Sequence, residues 1–143
     1  MRALILPAAA LALSLISIAP AQAQSLDGTY RGTLKFTREV VHQSPGQGDT
    51  CARSGPIAFQ VKDAVIMWRH PRAGLTFSAP VAGDGTFAIF GSYTGGGSGV
   101  LASGVKNELK GQITGAQLIG THIGVGRNRT CYHSFTARRQ GRG

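Results

Sequence analysis

From residue 28 onward the chain alternates. In GTYRGTLKFTR, residues 28–38, one parity carries Tyr30, Gly32, Leu34 and Phe36, and the other carries Thr29, Arg31, Thr33, Lys35 and Thr37. An apolar residue at every second position marks a strand with one buried and one wet face. IAFQVK (57–62) repeats the pattern, with Ile57, Phe59 and Val61 against Gln60 and Lys62, and VIMWRH (65–70) follows a turn at Lys62-Asp63. GLTFSAPV sets Leu75, Phe77, Ala79 and Val81 on one side. Its Pro80 argues for an edge or a bulge, because proline cannot donate to a ladder.

Gly83-Asp84-Gly85 is a turn signal. TFAIFGSYT follows it, apolar on both parities, as in a strand covered on both faces. TGGGSG reads as a flexible turn, GVLAS and ELKGQITG as another strand pair, and then QLIGTHIGV and TCYHSFTARR as two more strands. Helical periodicity is hard to find. Eight or nine short strands at hairpin spacing predict an all-β domain, an antiparallel meander closed into a small up-and-down barrel or folded into a sandwich. The tail RRQGRG is expected to fray. Asp27-Gly28-Thr29-Tyr30 and Asp84-Gly85-Thr86-Phe87 share one form; recurring turn chemistry is a simpler source than duplication of a half-barrel. Gly32, Gly91 and Gly111 fall on the inward parity. They leave room for a ligand or permit the bends that close a small barrel, and bending is the preferred reading.

The first residues change the picture of where this domain works. Arg2 is a short positive start, Ala3 to Ala19 is apolar, and Ala21-Gln22-Ala23 is a small-x-small cleavage signal. That predicts a secretory signal peptide over residues 1–23, followed by a single domain over 24–143. The apolar run is short for a membrane span and contains Pro7. The expected location is the bacterial periplasm or the medium. In an oxidising compartment two cysteines, Cys51 and Cys131, read as one disulfide. In the chain-entropy account, closing so long a loop stabilises the fold by roughly 4–5 kcal/mol at most.

With residues 1–23 removed, 14 Lys plus Arg face 6 Asp plus Glu, and ten of the 14 are arginines. Such a balance speaks to association rather than fold, and arginine suits bidentate contact with carboxylate or phosphate. A solvated basic surface is the plainer reading. The staple also gathers charge. Arg53 lies two residues from Cys51, Arg129 lies two from Cys131, and Arg127 lies two further on. At about 3.3 Å per residue the backbones of Arg53 and Arg129 fall within about 20 Å of each other. Arg53, Arg127 and Arg129 are therefore the candidate ligand-binding residues, against the alternative that they splay into water.

Other chemistry is sparse. No nucleophile elbow, zinc helix, P-loop or dinucleotide glycine pattern is present. His42, His70, His122 and His133 are scattered singly, without metal-ligand spacing. Asp27, Asp49, Asp63 and Asp84 sit at turns or strand junctions, and nothing brings Glu39 and Glu108 together. The expectation is a protein without catalytic residues, metal or cofactor. MWRHPRAG sets the lone Trp68 among cations, which suits a carbohydrate, lipid or nucleic-acid contact; a core tryptophan entering an exposed turn is preferred. Asn128-Arg129-Thr130 matches a glycosylation pattern, read as chance in a bacterial chain.

The scheme G-T-Y-R-G, then Cys51, A-G-D-G-T-F, K-G-Q-I-T-G and Cys131-Tyr132 resembles small exported proteobacterial β-proteins. The resemblance implies exported β-structure and carries over no active site. The reading taken is an exported binding protein that meets an anionic partner, such as an envelope polymer, a lipid headgroup or an acidic protein, through a basic surface. The alternatives are a lipocalin-like carrier of a small apolar ligand, with Phe36, Phe59, Phe77 and Phe87 lining a cavity, or an inhibitor of a secreted enzyme that inserts the loop Gln43 to Thr50.

Overall fold

The computed structural model describes residues 25–42, 50–71, 73–93, 105–126 and 128–141. The expected signal peptide, the GVLAS segment, Arg127 and most of the loop Gln43 to Thr50 lie outside the described residues. Eight strands follow one another: β1 (Gly28–Val41), β2 (Ser54–Lys62), β3 (Val65–Arg69), β4 (Thr76–Pro80), β5 (Thr86–Tyr93), β6 (Val105–Thr114), β7 (Gln117–Val125) and β8 (Arg129–Arg139). All pair antiparallel in the order β4-β3-β2-β1-β8-β7-β6-β5. The β1–β8 pairing joins the first strand to the last, and β4 packs on β5 without a ladder. The result is a nearly closed up-and-down barrel, with one seam between β4 and β5.

Alternation places the side chains as the sequence predicts. Tyr30, Phe59, Val61, Ile66, Ile89, Leu109, Leu118 and Phe135 are buried inside. The inward glycines are where backbone and rings come closest. Across β5 to β8 a row runs Phe87, Gly111, Gly120, Phe135. A Cβ on Gly120 would strike the Lys110 carbonyl, and one on Gly111 would lie 2.8 Å from the Phe87 ring. A Cβ on Gly91 would strike the Phe77 ring, and one on Gly32 the Thr136 carbonyl. These glycines are filled positions rather than a ligand chamber.

Three details depart from the expected pattern, the first being that β5 is covered on one face only, with Phe90 62% exposed. A register shift between Phe36 and Arg38 puts a bulge into β1, and such a bulge swaps which parity faces inward. At the other terminus, Arg138 and Arg139 are held in β8, where Arg139 accepts a place in the ladder and Gln140 N–H donates to the Thr29 carbonyl at 2.8 Å. Only 142 and 143 of the expected frayed tail lie outside the described residues.

The two ends of the barrel differ. Turns 63–64, 81–85 and 115–116 are short and close one end. Asp63 and Ala64 both have positive φ, 52° and 58°, as a two-residue hairpin turn matched to strand twist requires. Asp84 accepts both the Thr86 N–H at 3.0 Å and its hydroxyl at 2.7 Å, which holds the Asp84 carboxyl below its ordinary range. The longer connections leave from the other end, where the disulfide sits.

Candidate functional site

Cys51 and Cys131 are bonded, with Cα atoms 5.6 Å apart. Cys51 is thus a staple, which pins the chain leading into β2 onto β8. Of the flanking arginines, Arg53 and Arg129 are described, and they stand in different surroundings. Arg53 is exposed and lies over the Phe36 ring at 4.6 Å. Arg129 is only 7% exposed and donates through Nη1 to Glu39 Oε2 at 2.8 Å. The bulge in β1 produces this pair. It places Glu39 opposite Cys131 and Val41 opposite Arg129, so that Glu39 shares the inward parity with Arg129. Along the sequence Arg129 has no acidic neighbour; across the ladder it has one.

Above the apolar core, at the disulfide end, the barrel interior becomes polar. His70, Asn107, His122 and His133 are all buried, and Trp68 packs against them, 5.2 Å from the His70 ring and 5.6 Å from the His122 ring. Trp68 also stacks on Phe77 at 6.0 Å, which makes it the core tryptophan the sequence favoured. His122 and His133 face each other in the β7–β8 ladder with ring centroids 5.3 Å apart. The His70 ring lies 4.8 Å from Tyr93.

The hydrogen bonds fix much of the imidazole chemistry. His133 Nε2 lies 2.8 Å from the Ala52 carbonyl, which can only accept, so Nε2 carries the proton. Its Nδ1 is buried without a partner. His122 Nε2 lies 2.9 Å from Asn107 Oδ1, while His122 Nδ1 and Asn107 Nδ2 are buried without partners. His70 Nδ1 accepts the Ala73 N–H at 3.0 Å. Burial, and then the nearby His133 and His70, push the His122 pKa down to about 4. This end of the barrel is therefore polar but holds a neutral His122 at pH 7. Among the described residues no group of three or more His, Cys, Asp or Glu side chains is arranged to hold a metal ion. Glu39 and Glu108 go to separate cations, Arg129 and Lys110, rather than to each other.

The outer wall of β1 and β8 gathers the exposed cations. Arg31 lies directly opposite Arg138, Lys35 opposite Ser134, and Arg38 opposite Tyr132, whose ring it covers at 3.7 Å. All four cations are exposed. Among the described residues the two ion pairs lie elsewhere, at Lys110–Glu108 and Arg129–Glu39. Like charges directly opposite across a ladder repel, so Arg31 and Arg138 form a place where an anion would be welcome. From Arg31 to Arg38 the stripe spans about 23 Å at strand rise.

Sequence reasoning named Arg53 and Arg129 but passed over this stripe and the histidine cluster. The signals were there. Arg31 and Lys35 stand on the wet parity of β1, and His122 follows Leu118 and Gly120 on the inward parity of β7. What was missing was the pairing of distant strands. No protein-family model, no curated protein and no solved structure matches this chain.

Proposed function

We propose that the protein is an exported binding protein that engages an anionic partner through the outer wall of β1 and β8. The observation that carries this reading is the stripe Arg31, Lys35, Arg38 and Arg138, exposed and without a carboxylate on the outward positions of either strand. Its length and narrowness suit an extended anionic polymer better than a compact headgroup. The apolar-carrier reading gains no support from the interior, where Phe59 lies 5.2 Å from Phe135 and 6.2 Å from Phe87, and the inward glycines are occupied by rings and backbone.

The test compares walls rather than net charge. Binding to heparin and to polyphosphate is measured for the parent, for Arg31→Glu/Arg138→Glu, and for Lys106→Glu/Lys110→Glu on β6. All variants should fold alike, and the two doubles change net charge equally. The expected result is a loss of about tenfold or more for the β1–β8 variant only, with affinity falling as salt rises. Equal losses in both doubles would reduce the interaction to bulk charge and remove the stripe from the account.

A further inference from the structure

The cation stripe has an apolar flank. With Leu118 and His122 buried inside, β7 turns Ile119, Thr121, Ile123 and Val125 outward, and Ile119 and Val125 are 48% and 37% exposed. The bulge in β1 puts Val40, 37% exposed, on the outward parity with Arg38. The ladders then align two outward rows at the disulfide end: Val40, Thr130 and Val125, and beside them Arg38, Tyr132 and Ile123. The other flank of the stripe differs. There β2 turns Ser54, Pro56, Ala58, Gln60 and Lys62 outward, with no large apolar side chain among them.

Charge follows the same geography. Exposed Arg38 covers the Tyr132 ring, and exposed Lys106 stands opposite Val125 in the β6–β7 ladder. Glu108, opposite Ile123, is held by Lys110 at 2.6 Å, and Glu39 by Arg129 at 2.8 Å. Among the described residues the three aspartates, Asp27, Asp63 and Asp84, all stand at the turn end, before β1 or in the turns after β2 and β4. The wall is therefore positive and apolar at once, with no free carboxylate among its described residues to oppose an anion.

That combination selects among anionic partners. A soluble polyanion meets the cations and leaves the β7 flank in water. An anionic bilayer meets both, because its surface attracts lysine and arginine and its headgroup boundary accepts apolar side chains. The strand order sets β8 between β1 and β7. A surface resting on β8 therefore has the cations of β1 on one side and the apolar residues of β7 on the other. Long cationic side chains keep their charged heads at the phosphates while their stems lie along the apolar boundary. A bilayer is also an array of headgroups, so it can occupy the whole stripe where a single compact headgroup cannot.

We propose that the β1–β8–β7 wall docks on an anionic lipid bilayer, with the cation stripe on the headgroup phosphates and Val40, Ile119, Ile123 and Val125 seated at the headgroup boundary. The proposal rests on the anionic-partner reading and names the partner; a soluble polymer becomes its competitor, bound through charge alone.

The test measures co-sedimentation of the protein recovered from the periplasm, with the Cys51–Cys131 bond intact, with vesicles of phosphatidylcholine alone and of phosphatidylcholine mixed with phosphatidylglycerol. Neutral vesicles also report any contact made by the apolar run at residues 3–19. Polyphosphate binding is measured in parallel. The parent should bind the anionic vesicles at least about tenfold more tightly than the neutral ones. Ile119→Thr/Val125→Thr keeps β-branched residues on the strand and should weaken vesicle binding about tenfold while leaving polyphosphate binding and the thermal melt unchanged. Thr121→Ile extends the apolar flank and should tighten vesicle binding about threefold, a gain that misfolding cannot imitate. Arg31→Glu/Arg138→Glu should weaken both probes. Vesicle binding that ignores Ile119→Thr/Val125→Thr and Thr121→Ile overturns the proposal and leaves the anionic-partner reading standing, as does binding of polyphosphate without binding of anionic vesicles. Equal binding to neutral and anionic vesicles overturns the proposal, and binding to neither vesicles nor polyphosphate overturns both readings.

Discussion

The two ends of this barrel solve opposite problems. The turn end is closed by tight hairpins over Ile66, Ala79, Ile113, Leu118 and Ala137, and the hydroxyl of buried Tyr30 donates to the Leu26 carbonyl at 2.7 Å. The disulfide end buries three histidines, an asparagine and an arginine, leaves several of their atoms unmatched, and relies on a covalent bond to hold its chain in place. Apolar burial stabilises one end at about 25 cal/mol per Å². Polar burial costs the other end stability unless every atom finds a partner. The difference teaches where the fold is secured by apolar packing and where it is secured by a covalent bond.

The comparison can be broken at its strong end first. Phe135→Ala removes a ring packed on Phe59 and Gly120 and should cost about 3–5 kcal/mol by denaturant titration. A loss below about 1 kcal/mol would mean that this core is not closely packed. Breaking the staple with Cys51→Ser/Cys131→Ser should cost about 2–5 kcal/mol, and hydrogen exchange should accelerate first in β8 near Cys131 rather than near Ala137. Uniform acceleration would erase the distinction between the ends.

Acid sharpens the contrast. The folded His122 pKa is depressed to about 4 from an ordinary 6.5, so below 6.5 the unfolded chain binds its proton more readily. This contribution is fully present above pH 6.5 and is lost as pH falls towards 4, amounting to at most about 3 kcal/mol. Melting curves from pH 7 to 4 should show that decline, and His122→Phe should flatten it. The smallest effect belongs to the turn end. Ala64 is held at a φ of 58°, where glycine carries no steric penalty, so Ala64→Gly should raise stability by about 0.5–1 kcal/mol. A decrease would place the turn in another conformation.

Much of the fold was legible in the sequence because alternation is local. The strand read at QLIGTHIGV matches β7 at both ends, and the strand read at TCYHSFTARR misses β8 by one residue. The Cys51–Cys131 bond was legible from the cysteine count and the expectation of export. The site was less so, for a physical reason. Glu39 reaches Arg129 through a bulge at Phe36 and Arg38, and nothing in TLKFTREVV announces where an extra residue enters. The same shift withdrew Arg129 from the expected basic cluster and left Arg53 alone on Phe36. The opposition of Arg31 to Arg138 joins the first strand to the last, a contact that only barrel closure creates. His70, His122 and His133 look scattered along the chain for the same reason, since three different strands or their ends carry them to one place.

The most direct measurement of this account is a nitrogen-detected NMR titration of the histidine rings. The account predicts that His122 stays neutral from pH 7 down to a midpoint of about 4, and that the Nε2–H of His133 stays bonded to Ala52. A His122 midpoint near its ordinary 6.5 would show a ring open to water, and would contradict a buried polar end distinct from the apolar one.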